Sequence, residues 1–427
     1  ISGTQWKPSH QYVYLNYEKR INNNLTVYSL SNYKIHSINN GSQVTSVNNY
    51  ARNSLGLKDL ARGTLPYWGT TYYYEQSEQF RTEFKMMYSW SKNLYLISGV
   101  ELRNSQLQGN YLTSGIPNPQ DSGIAVGFTQ GGNQFNVNDL GVYAQGGYRS
   151  KTGFGVTLGM RMDKNKIRQD GGFGTAFSPR FVLDYATRTF VIKAIYSRGI
   201  VNVSNFTKFS AAANRIPNPN LGTESINNFE ISLNKQFTPD LSADVDLYFN
   251  TIQDVVGTVT LSNNLQQNQN IGRFRIFGVQ SNLNYVHKAF KATLNYSYTS
   301  PRQTRNEKGD VDLVVGDIAS QHLNLILNYL AAKHFNINFR TNYVGAKPVG
   351  PGTTVPGNLY PFNAYLLSNL VFSLDNLVKN TSVQLVINNL FNKIYYSPGV
   401  RLADGINNPS EILQMGRNYM VRFNLDL

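Results

Sequence analysis

The last nine residues, Tyr419-Met-Val-Arg-Phe-Asn-Leu-Asp-Leu427, constrain the fold more than any other stretch. Tyr419, Val421, Phe423, Leu425 and Leu427 fall on one face of an extended chain. Met420, Arg422, Asn424 and Asp426 fall on the other. Strict period two with one apolar and one wet face describes a strand at the boundary between two media. One such strand would suit a soluble sandwich equally well. The same pattern, about ten residues long, recurs backwards along the whole chain, with short turns and long polar loops separating the copies alternately. That grammar predicts an all-β fold, a transmembrane antiparallel β-barrel.

Composition agrees once the barrel is considered. The mean hydropathy is -0.35. No run of about 18 apolar residues occurs, so an ordinary spanning helix is excluded. A barrel escapes that test because only every second residue meets lipid. Cys is absent, which excludes a disulfide framework and a thiolate metal site. No charged-then-apolar leader opens at Ile1, so no signal peptide is expected within these residues. The formal charge of +14 comes from 39 Lys and Arg scattered singly, with no basic run. Nucleic acid is therefore not an expected partner. An anionic outer leaflet, an anionic ligand or an acidic partner accounts for the charge as well.

The alternation places strands near 11–18, 25–36, 79–91, 94–104, 139–149, 154–163, 176–186, 190–198, 227–237, 241–251, 274–287, 290–300, 321–332, 334–344, 364–375, 381–393 and 418–427. Polar loops are expected at 37–78, 105–138 and 199–226. In 335–343, Phe335, Ile337, Phe339, Thr341 and Tyr343 oppose Asn336, Asn338, Arg340 and Asn342. Such clean two-sided alternation reads as a wall between lipid and water, not as a packed sandwich core. In bacterial barrels the short turns are periplasmic and the long loops extracellular. A count of about seventeen then starts residue 1 outside the cell and leaves two free edges, which lipid does not tolerate. The expectation is that residues 1–427 form one outer-membrane β-barrel unit lacking an N-terminal plug and its first strands. Five more strands would give twenty-two, the size of a plugged transporter barrel.

Several phrases resemble those of TonB-dependent outer-membrane transporters. They are Gly141-Val-Tyr-Ala-Gln145, Phe177-Ser-Pro-Arg180, Tyr196-Ser-Arg-Gly199, and Ile216-Pro-Asn-Pro-Asn-Leu221 followed by Glu224 and Asn228-Phe-Glu230. Asn388-Asn-Leu-Phe-Asn-Lys-Ile-Tyr395 and Gly416-Arg417 complete the series, in an order and spacing similar to the family's C-terminal barrel half. The resemblance implies a 22-stranded barrel closed inside by a plug. It also implies import driven by a TonB protein and its inner-membrane motor, pulling on a short box of that plug. Leu427 departs from the aromatic residue usual at the family's C-terminus.

Candidate sites divide between loops and lumen. Trp68, Tyr72, Tyr73 and Tyr74 are candidates for stacking on sugars or peptides, or for an interfacial girdle. Arg168, Arg215 and Arg401 are candidates for holding anionic groups. Inward-facing charges such as Arg81, Glu83, Glu101, Arg103, Arg161, Asp163 and Asp184 are expected to pair with one another or with a plug. Asp244 and Asp246 share a face, but no nucleophile or partner accompanies them, so no catalytic role is expected. Lys308-Gly-Asp-Val-Asp312 lacks the closing Glu of a calcium loop and reads as a solvated turn. Pro217 and Pro219 read as strand-entry devices, with Glu224 part of the same device. His10, His36, His287, His322 and His334 show no metal-ligand spacing along the chain.

The expected function is TonB-dependent import of a scarce nutrient across the bacterial outer membrane. A siderophore, glycan fragment, peptide or vitamin would be captured by the extracellular loops. Alternatives are a passive eighteen-stranded porin and a structural or adhesive barrel in a larger complex. No enzyme activity and no cofactor are expected. Expected partners are outer-membrane lipid and lipopolysaccharide, TonB through a plug, and a surface lipoprotein as a further candidate.

Overall fold

The structure is a computed structural model and describes residues 5–47, 68–107, 112–114, 134–168, 171–210, 215–350, 362–376, 380–399 and 411–425. Seventeen long strands carry it: β1 (Pro8–Arg20), β2 (Leu25–Val47), β3 (Trp68–Ser91), β4 (Leu94–Leu107), β6 (Phe135–Arg149), β7 (Phe154–Ile167), β8 (Gly171–Ala186), β9 (Phe190–Val201), β11 (Glu224–Thr238), β12 (Leu241–Thr260), β13 (Gln266–His287), β14 (Phe290–Asn306), β16 (Gln321–Ala332), β17 (Phe335–Val344), β18 (Tyr365–Asp375), β19 (Thr381–Asn388) and β22 (Asn418–Leu425). Each pairs antiparallel with the next long strand. The short strands β5 (Leu112–Ser114), β10 (Arg215–Ile216) and β15 (Gly309–Val314) add to the outer reaches of this sheet. A separate hairpin is formed by β20 (Tyr396–Pro398) and β21 (Glu411–Leu413).

The register makes one face continuous and apolar. Following cross-strand partners, Tyr17 meets Ser29, then Phe84, Val100, Val142, Met162 and Phe177. Farther on, Phe181 meets Tyr196, Phe229, Phe249 and Phe277. The row at the far end runs Leu327, Phe339, Leu370, Ile387 and Tyr419. Large apolar side chains on this face are exposed: Phe84 58%, Phe229 52%, Phe423 75%. A soluble protein would bury such a surface; a hydrocarbon layer accepts it.

The outer loops are shorter than the sequence implied, because strands continue through them. Segments 37–47 and 68–78 belong to β2 and β3, 252–260 to β12 and 266–273 to β13. At about 3.3 Å per residue, β2 and β3 far exceed the roughly 25 Å apolar band. Beyond the band both faces meet water, so alternation no longer marks the strand. The segment expected as a loop at 199–226 contains the short helix α1 (Asn205–Phe209) and β10.

Candidate functional site

The polar face opposite the apolar one carries the charges predicted to point inward. Across β3 and β4, Arg81 stands opposite Arg103 and Glu83 opposite Glu101, a like-charge arrangement that is unfavourable as it stands. Contacts to other neighbours resolve it. Arg81 reaches Glu101 at 3.1 Å and Glu83 at 3.5 Å, and Arg103 reaches Asp139 on β6 at 2.8 Å. From β7, Arg161 joins Glu101 at 3.3 Å and Asp163 at 2.6 Å. Tyr143 donates to Glu83 at 2.6 Å, and Asn165 donates to Asp139 at 2.6 Å. Gly141 makes room for this: a Cβ there would lie 2.2 Å from an Arg161 guanidinium nitrogen. Lower on the wall, Arg149 pairs with Asp184 at 2.6 Å. These charges pair with one another as anticipated.

From β11 to β22 the polar face changes character and becomes lined by amides. Asp244 accepts from Asn234 and Asn282 instead of facing an acid–base partner. A cavity of about 290 Å³ opens beside it, with Asp246, Gln280 and Asn324 in its wall. A second cavity of about 510 Å³ is bordered by Asn328, Asn338, Arg340, Asn369, Asn388 and Arg422.

At the outer mouth, the segment between β9 and β11 folds over the polar face, which identifies that face as the inside. Ser204 caps α1 by accepting from the Thr207 backbone N–H at 3.1 Å. Phe209, 1% exposed, inserts among Phe135, Val137 and Ile167, with Leu107 packed alongside. It also presses on Gly171, where a Cβ would lie 2.7 Å from the Phe209 ring. Asn268 and Gln267 of β13 donate to the Thr207 and Pro217 carbonyls, and Asn270 accepts from the Gly222 N–H. The Ile216-Pro-Asn-Pro-Asn-Leu221 phrase is thus a structural anchor. Asn218 bonds Lys208 and Asn268, and Leu221 is fully buried. Glu224 accepts from the Val256 N–H at 2.8 Å and clamps a bulge in β12. Lys208 is also fully buried, its ammonium donating to the Leu221 carbonyl, and burial pushes it down to about 8.

The predicted ligand residues lie apart in the fold. Trp68, Tyr72, Tyr73 and Tyr74 fall on β3, not in a loop. Tyr73 packs on Trp6 with ring centroids 5.3 Å apart, and Tyr74 donates to Gln76 at 3.5 Å. Trp68 and Tyr72 take part in the ladder through Val47 and Gln43; their side chains lie outside the described residues. Arg168 lies over the rings of Phe135 and Phe209, 4.1 and 4.7 Å from their centroids, and donates to the Gln134 carbonyl. Arg215 lies on β10, parallel to Gln266. Arg401 lies outside the described residues. Among the described residues no group of three or more His, Cys, Asp or Glu is placed to hold a metal ion. The Lys308–Asp312 stretch forms the β14–β15 hairpin, with Arg302 on Asp312 at 3.0 Å. Sequence spacing missed one pair: His10 and His36 meet across the β1–β2 hairpin. Counting partners outward from the 21–24 turn would have found it.

No curated protein sequence matches the chain. Solved structures do. The FrpB iron transporter from Neisseria meningitidis (F3-3 variant) superposes with a TM-score of 0.65 at 16% identity, over 97% of this chain and 62% of its own. The copper transporter OprC gives a TM-score of 0.71 at 11% identity, over 98% and 65%. The siderophore receptor PirA from Acinetobacter baumannii gives 0.66 at 14%, over 98% and 62%. The chain therefore spans less than two thirds of the length of these relatives, and at such identities the likeness shows the fold. The family described as TonB dependent receptor-like, beta-barrel, matches residues 2–390. With its apolar outer face, its polar inner wall and that match over most of its length, the chain belongs to the TonB-dependent receptor β-barrel family.

Proposed function

We propose that this protein imports a scarce hydrophilic solute across the bacterial outer membrane, driven by TonB and its inner-membrane motor. The observation that carries this reading is the division of the seventeen long strands, sixteen of them within the family-matched residues 2–390, into an apolar outer face and a polar inner wall rich in internal ion pairs. The solute is captured at the outer mouth and passes along the inner wall. On the β3–β8 wall, Arg81, Glu83, Glu101, Arg103, Asp139, Arg149, Arg161, Asp163 and Asp184 are tied up in ion pairs with one another, so these groups contribute little to selecting a charged solute. Amide groups on β11–β22 both donate and accept hydrogen bonds, which suits siderophores, glycan fragments, peptides and polar vitamins alike. Membrane lipid and lipopolysaccharide contact the apolar face, and a surface lipoprotein is a candidate partner over the outer loops.

Among the described residues β1 pairs only with β2, and β22 only with β19. Two free edges in lipid leave backbone groups unsatisfied. Further strands of the full-length protein close the wall in our reading, and a plug rests against its inner face. Family membership favours this plugged arrangement over a passive porin. Planar bilayer recordings test it. The intact protein is expected to stay silent, and to conduct once the plug is deleted. Steady open channels from the intact protein would sink the reading, as would solute uptake that persists without the motor.

A further inference from the structure

The β1–β2 hairpin places His10 directly opposite His36. Their Nδ1 atoms are 3.1 Å apart, and their rings overlap with centroids 4.5 Å apart at 32°. Both side chains open into a cavity of about 670 Å³ at the outer mouth, between the β1–β3 wall and the segment that enters α1. Lys34, Glu75, Asn202 and Phe206 border the same cavity. The two nitrogens lie within hydrogen-bonding distance of one another. Two imidazole nitrogens converging on one point at a solvent-filled mouth also have the geometry of a chelate.

We propose that His10 and His36 form a two-nitrogen site for a first-row divalent transition-metal ion of the Cu²⁺ or Zn²⁺ type, its remaining coordination positions open to the mouth cavity. Metal–imidazole bonds of about 2.0–2.1 Å set two ligand nitrogens roughly 2.9 to 3.3 Å apart, between right-angled and tetrahedral arrangements. The observed 3.1 Å lies inside that interval, so both nitrogens can ligate one ion with little movement of either strand. Lys34 and Glu75 lie on the same face and offset one another, while Glu78 turns to the opposite face, where the Tyr33 hydroxyl donates to it. Among the described residues no third His, Cys or carboxylate completes the set. The ion is therefore held exchangeably, with water or donor atoms of an incoming solute at its open positions, unlike a closed four-ligand structural site. Copper(II) is expected to bind more tightly than zinc on the same nitrogens. The inference rests on the hairpin alone and stands or falls separately from the import reading.

The test uses the full-length protein, extracted in detergent, stripped of metal and titrated with copper(II) chloride. Calorimetry is expected to show a site that His10→Ala and His36→Ala each weaken by about tenfold or more. Electron paramagnetic resonance is expected to show coupling to two nitrogens in the native protein and to fewer in each variant. His322→Ala, on β16, leaves both readouts unchanged. Heat-dependent gel mobility checks that each barrel is folded; His10→Asn and His36→Asn serve where an alanine variant is not. Absence of nitrogen-coupled copper, or equal affinity in the native protein and the double variant, overturns the site.

Discussion

At the scale of single residues, the inner wall shows why strands that look mismatched remain stable. Glu83 opposite Glu101 and Arg81 opposite Arg103 would repel if each charge saw only its direct partner. Diagonal reach makes Glu101 the shared acceptor of Arg81 and Arg161, with only 12% of its side chain exposed. Glu101→Gln should therefore cost about 1–2 kcal/mol in chemical unfolding, after allowance for the partly exposed arginines. Glu230→Gln, in a residue with no ion pair among those described, should stay within about 0.5 kcal/mol. Equal effects would mean that the diagonal network contributes nothing. Lys208 makes a prediction of the other sign. Its folded value of about 8 lies below that of an unfolded lysine, so the unfolded state binds the extra proton. Docking of the α1 segment should strengthen as pH rises from about 8 towards 10.5, and below pH 8 the full cost of burying the charge remains. Lys208→Met should abolish that dependence, read as the rate of chymotryptic cleavage within the segment against pH, relative to an unfolded control, for both proteins.

At the scale of elements, the α1 segment is held by one aromatic anchor and a set of amide clamps. Truncating Phe209 removes a buried ring, a change that costs about 3–5 kcal/mol in a packed core. Because the segment can release without unfolding the wall, the loss should appear locally. Phe209→Ala is expected to expose Lys208 and Arg215 to trypsin at least about tenfold faster, while the barrel keeps its heat-resistant mobility. Global unfolding in place of local nicking would show that the segment braces the wall itself. These same elements show how far the sequence could be read. Within the apolar band every long strand was legible, because lipid on one side and water on the other impose period two. Above the band both faces are wet, so the extensions of β2, β3, β12 and β13 carry no periodic signal and resembled loops. The Pro217 and Pro219 phrase was legible as a strand-entry device because proline limits pairing wherever it stands. Phe209 was not, since its burial depends on Phe135 and Ile167, distant in sequence. The ligand candidates rest on residue type, and of those described Arg168 and Arg215 lie at the inward-folded segment, whereas Tyr73 and Tyr74 lie on β3.

At the scale of the whole molecule, everything depends on which face meets lipid, and the two faces differ by one residue of register. Leu247 and Asp246 are neighbours on β12, yet the cross-strand partners of Leu247 are Ile231 and Val279, and those of Asp246 are Ser232 and Gln280. Arginine placed on either face of this hairpin separates the assignments. Leu247→Arg should destabilise the barrel in lipid by about 2–4 kcal/mol, the cost of a guanidinium in the hydrocarbon layer. Ser232→Arg, one strand away on the polar face, gains Asp246 as a partner and should change stability by less than about 1 kcal/mol. Folding from urea into bilayers measures both. In detergent-free aqueous conditions neither protein is expected to fold, so lipid must be present for the comparison to have meaning. If Ser232→Arg proved the costlier change, the faces would be reversed, the ion-pair network would lie against lipid, and the proposed transport path along the amide-lined wall would be lost with it.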